Sequence, residues 1–201
     1  MAAGLTRRAA LLGGFAALTA CGAESVWAPD AFVERSRYVH TGPPGIALYT
    51  VRNVGSDRGA HSGLLITAEE RALFDPAGTF RNAALPERDD LIHGMSPRAL
   101  EIYINYHTRI TYYTVEQSLD LPLPVASALL ARAKAAGPVP KAMCTRSISA
   151  LLRETPGLGS IRQTWFPEFL SEQFAELPGV RTRRYVDDDS HDNSMILLEM
   201  L

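Results

Sequence analysis

The sequence predicts an α+β fold in one domain, and three observations predict it. Strand-length runs rich in β-branched and aromatic residues lie next to one another, joined by short turns. Helical patterns are mixed with them, without a regular strand–helix alternation. The composition is that of an ordinary soluble globular chain: 46% hydrophobic and 21% charged over 201 residues. It excludes a disordered tail, a collagen-like fibre and a multi-span membrane protein, and the length suits one domain with an extension. Lys and Arg total 20 against 22 Asp and Glu, a formal charge of −2. That excludes a strong nucleic-acid binder, which needs a basic face to neutralise phosphates.

Residues 1–20 read as an export signal rather than as part of the fold. Arg7 and Arg8 form a short basic start, and Ala9 to Thr19 is apolar but too short to span a bilayer as a helix. Leu18-Thr19-Ala20-Cys21 resembles the bacterial lipobox, where cleavage precedes a cysteine that is then lipidated. Thr6-Arg7-Arg8-Ala9-Ala10-Leu11-Leu12 resembles a twin-arginine signal. On this reading the mature chain runs from Cys21 to Leu201, 181 residues once the 20-residue signal is removed from 201. Acyl chains on Cys21 would hold it on a membrane surface facing the periplasm or cell exterior. The two cysteines then separate: Cys21 is spent on lipid, and Cys144 is a lone thiol, either a small buried hydrophobe or a reactive group.

The mature chain opens with a lead-in, residues 21–44, that mixes polar, Gly and Pro residues without period and reads as a tether. Ile46 to Arg52 is a strand and Asn53 to Gly59 a turn-rich loop. His61 to Thr67 and Arg71 to Asp75 form a hairpin across the short link Ala68-Glu69-Glu70. Residues 79–95 read as irregular. Ser96-Pro97 is an N-cap followed by a first-turn proline, starting a helix to about His107. Arg109 to Glu116 is the strongest strand signal. Helices follow at Pro124 to Ala136, Met143 to Glu154 and Phe166 to Leu177. An acidic loop ends the chain, with Ser194 to Leu201 as a last strand.

Cys144 falls at the first turn of its helix, where free N–H groups and the positive end of the dipole favour a thiolate and a developing oxyanion. A cysteine nucleophile needs a base and a group to orient that base. His61 opens an apolar strand after a Gly-containing loop, and Asp75 ends the strand paired with it. The hairpin sets the start of one strand beside the end of the next, so Asp75 is placed to fix the His61 tautomer.

His61-Ser62-Gly63-Leu64-Leu65-Ile66, then Leu73-Phe74-Asp75-Pro76-Ala77-Gly78, then Met143-Cys144-Thr145-Arg146-Ser147-Ile148 follow an order that resembles the permuted papain-like cysteine peptidases and amidases, relatives of the NlpC/P60 proteins. The resemblance implies an antiparallel sheet packed against helices over residues 45–201. It implies a Cys144–His61–Asp75 triad acting on a peptide, peptidoglycan or acyl-lipid substrate, with no cofactor and no metal. One departure stands out: the oxyanion-assisting tyrosine such relatives often carry near the cysteine is absent beside Cys144, and Tyr49 is left unassigned.

Other readings compete. Asp187, Asp188 and Asp189 with His191 and Asp192 offer hard metal ligands, but without calcium-loop spacing they read as a solvated loop. Ser147 and Ser149 lack a nucleophile-elbow context. Tyr103, Tyr106, Tyr112 and Tyr113 read as core and sheet-face residues. From another class comes a non-catalytic envelope lipoprotein that uses the same scaffold for binding; it predicts a buried Cys144 with His61 far away. The export reading has its own check. Protein extracted from membranes should have the intact mass of a chain starting at Cys21 plus acyl groups, and a chain that retains Met1 would refute it.

Overall fold

A computed structural model of the chain describes residues 23–199, so the export signal and Cys21 lie outside the described residues. Among these residues are a seven-stranded antiparallel sheet and five α-helices. The strands are β1 (Gly45–Asn53), β2 (Gly59–Thr67), β3 (Arg71–Phe74), β4 (Glu87–Arg88), β5 (Leu91–Ile92), β6 (Tyr112–Asp120) and β7 (Arg181–Tyr185). Their order across the sheet is β4-β5-β3-β2-β1-β6-β7. The helices are α1 (Asp30–Ser36), α2 (Pro97–His107), α3 (Leu123–Lys134), α4 (Cys144–Arg153) and α5 (Pro167–Ala175), and a 3₁₀ turn covers Ser194–Leu198. None of these helices is long and apolar enough to cross a membrane.

The central strands are apolar at successive positions because both faces of the sheet are covered. Ile46, Leu48, Leu64, Ile66 and Phe74 face α3, α4 and α5, where Leu129, Leu130, Ile148, Leu152, Leu170 and Phe174 meet them. Ala47, Tyr49, Leu65 and Leu73 face the other way, against Ile102 and Tyr103 of α2 with Phe80 and Met95. Period-two alternation thus sends neighbouring residues of one strand into two different cores. The α2 start follows the expected cap: the Ser96 hydroxyl accepts from the Ala99 N–H, and Pro97 takes the first turn.

Four segments differ from the sequence reading. Residues expected to be a free tether carry α1, and their backbone is docked: Ala28 donates to Glu87, Asp89 to Val26 and Arg71 to Tyr38. A seven-residue helix with no buried side chain leaves no period to detect. Residues 79–95 contain the two-residue strands β4 and β5, also too short for a pattern. The strand expected from Arg109 starts at Tyr112 and continues to Asp120, because buried Gln117 satisfies its amide on the Ser171 carbonyl and hydroxyl. The expected last strand is instead the 3₁₀ turn, anchored by buried Ile196 against the core beneath α2, and the edge is formed by the arginine-rich β7. Its charges suit an edge that must not pair further.

Replacing Ser96 by Ala should cost about 0.5–2 kcal/mol, the usual worth of an N-cap hydroxyl. A urea unfolding midpoint that does not move would show that the cap is not holding α2.

Candidate active site

The site is built where the sheet splits. β3 pairs with β2 only from Leu64 to Thr67, so the first part of β2 has no strand on that side. The start of α4 fills the gap. Ser62 Oγ and Thr145 Oγ1 hydrogen-bond at 3.0 Å, tying the helix to the strand. Thr145 Oγ1 lies 3.7 Å from the Cys144 sulfur, and the nearby Ser62 backbone N–H favours the thiolate. Met143 precedes the helix and offers no capping side chain, so the first-turn N–H groups keep their free donors.

His61 sits opposite Val51, at a register shift between Val51 and Arg52 that bends the hairpin. Its Nε2–H donates to Asp75 Oδ1 at 2.7 Å. Cys144 lies close enough to the same ring for each group to shift the other's proton affinity, and Nδ1 is the ring nitrogen that Asp75 leaves free. Asp75 is fully buried just past β3, and Tyr103 Oη donates to the same Oδ1 at 2.9 Å. Two glycines make this possible. A Cβ on Gly63 would run into Tyr103 Oη, and one on Gly78 into Asp75 Oδ2. The structure therefore brings together the three residues that the sequence singled out: Cys144, His61 and Asp75.

Burial alone would suppress the charge on all three, yet their mutual contacts outweigh it. Burial pushes the Cys144 thiol up, but the hydrogen bond and charge of His61, the Ser62 N–H and Thr145 bring it down to about 7 from 9.0. Burial pushes His61 down, but the Asp75 carboxylate and the thiolate raise it to about 10. Burial pushes Asp75 up, but His61 and Tyr103 hold it below its ordinary 3.8. The two shifts act together and favour a thiolate beside an imidazolium.

Two residues of this arrangement were missed in the sequence. Tyr103 reads as a core residue in the sequence, and His107 as the end of its helix. They stand one turn apart on α2, where His107 Nδ1–H donates to the Tyr103 carbonyl at 2.9 Å. The His107 ring lies nearly parallel to that of His61, with centroids 5.5 Å apart. Burial lowers His107 to about 4, so it stays neutral beside a charged neighbour. The Tyr-x-x-x-His spacing was the available signal. Tyr49 is fully buried and edge-on to Tyr103, and it does not line the cavity beside His61. A cavity of about 310 Å³ opens beside His61 and is lined also by Gly78, Thr79, His107, Arg109 and Asn193.

Of the remaining histidines, His191 lies on the rim of the same cavity, and His40 and His93 lie elsewhere. His40 approaches Arg71, His93 is buried on Glu70, and His191 meets Thr111 Oγ1. Asp187, Asp188 and Asp189 are exposed, with Asp189 paired to Arg109. No family model, curated protein or solved structure matches the chain.

The thiolate fraction grows as pH rises through the thiol pKa. Iodoacetamide should therefore label Cys144 with a midpoint near pH 7 rather than 9.0, and Asp75→Asn should move the midpoint upward. A wild-type midpoint at the ordinary thiol value would remove the activated thiolate.

Proposed function

We propose that the protein is a cell-envelope lipoprotein, held on a membrane surface through lipidated Cys21, that hydrolyses an amide or ester bond with Cys144, His61 and Asp75 on a permuted papain-like scaffold. What carries the reading is one arrangement: a thiol at a helix start, against a histidine whose other nitrogen is held by a buried carboxylate. The order strand-histidine, next-strand acid, late helix-cysteine on an antiparallel sheet supports kinship with the NlpC/P60 relatives.

In this mechanism the Cys144 thiolate attacks the scissile carbonyl carbon and forms a C–S bond. The free backbone N–H of Cys144 stabilises the oxyanion. His61 gives its proton to the departing amine or alcohol as the C–N or C–O bond breaks, leaving a thioester. Neutral His61 then takes a proton from water, the hydroxide attacks the thioester, and the carboxylic acid leaves as the thiolate is restored. Asp75 keeps its charge throughout and holds the ring in the tautomer that both steps need. A peptide or isopeptide amide, in peptidoglycan or elsewhere, or a lipid acyl ester would each present the required carbonyl.

The binding-module reading draws on the burial of Cys144, only 8% exposed, but it requires His61 to be distant from the thiol, which the ring contact opposes.

An activated ester such as p-nitrophenyl acetate should leave one acyl group on Cys144, detected by intact mass and peptide mapping. His61→Ala should slow acylation by about 10²–10⁴-fold, the usual worth of a general acid–base group. Acylation of Cys144→Ala at the wild-type rate would overturn the proposal.

A further inference from the structure

His61, Asp75 and His107 each offer a ligand atom, and the three atoms lie within 4.8 Å of one another. Two further observations point to a ligand among them. Asp75 is fully buried, yet its Oδ2 has no hydrogen-bond partner. A buried carboxylate oxygen without a donor is costly, and a bound ion would satisfy it. His107 gives its Nδ1–H to the Tyr103 carbonyl, so in the neutral ring Nε2 carries the lone pair. That backbone hydrogen bond is how metal-ligating histidines are commonly oriented. The cavity of about 310 Å³ beside His61, Gly78 and His107 supplies an entry path and room for water ligands.

Two imidazoles and one carboxylate suit borderline transition ions, whereas Ca²⁺ and Mg²⁺ favour all-oxygen sites. We propose that His61, Asp75 and His107 form a binding site for a divalent transition ion of the Zn²⁺ type. The ion takes the place of the proton that His61 Nε2 donates to Asp75 Oδ1, and that proton leaves to solvent. The site stands on the ligand geometry and not on the proposed thiol chemistry.

The test titrates the full-length protein with ZnCl₂ by calorimetry, using MgCl₂ as control. One Zn²⁺ should bind per chain, and Mg²⁺ should not compete. His107→Phe, which keeps a ring in place, should weaken Zn²⁺ by more than about 100-fold, since even a partner behind a ligand is worth about 10–100-fold. His107→Gln is the second variant should the first not fold. Co²⁺ added to the wild type should give the visible bands of a four- or five-coordinate site containing nitrogen. Absent Zn²⁺ binding, or binding retained in both folded variants, would overturn the site. A six-coordinate all-oxygen Co²⁺ spectrum would overturn it too and point to Asp187–Asp189 instead. Calorimetry on Cys144→Ser reads the site even where the thiol has no activity.

Discussion

The buried carboxylate of Asp75 is the constraint on which the site depends. Taking an ion out of water costs several kcal/mol, and the charge persists only because donors are delivered to it. His61 and Tyr103 both bond Oδ1, one from the strand beside it and one from the helix above. Neither would reach it without the missing side chains at Gly63 and Gly78. The hairpin, the α2 crossing and two glycines thus converge on one oxygen atom. Removing the charge would release the restraint on the His61 tautomer and the rise in its proton affinity together.

A second consequence follows from how the sheet ends. Continuing β3 alongside β2 would close the space now held by Cys144. Instead the pairing stops at Leu64 and β3 turns toward β5, leaving Ser62 beside the start of α4. The fold gives up ladder hydrogen bonds there. In return it gains a point where a helix on one face meets a histidine that belongs, by strand parity, to the other. The Ser62–Thr145 hydroxyl pair fixes that junction from the helix side.

What could be read from the sequence was whatever repeats or caps. The runs from Ile46, His61 and Arg71 are long and apolar enough to declare strands, and Ser96-Pro97 starts a helix chemically. The site residues were legible for the same reason: His61 and Asp75 are fixed by a hairpin with a short link, and Cys144 by a helix start. What escaped was set by tertiary contact. β7 carries arginines instead of an apolar alternation and exists because β6 offers an edge. α1 is held by the β4 and β3 margins. Tyr103 and His107 looked like ordinary residues of an amphipathic helix, and only packing against the hairpin shows which face they serve.

The two stacked histidines show why this packing matters chemically. Both are buried, and burial alone would keep both neutral. Asp75 bonds one of them directly, which raises His61 to about 10, while His107 stays at about 4. The charge on His61 itself helps suppress a proton on its neighbour. One carboxylate can support one imidazolium in this space, so two chemically identical groups are driven to opposite states, the separation that acid–base chemistry requires. The proton then resides on the ring beside the thiol. His107 contributes a flat, neutral surface that restrains this ring without competing for its charge.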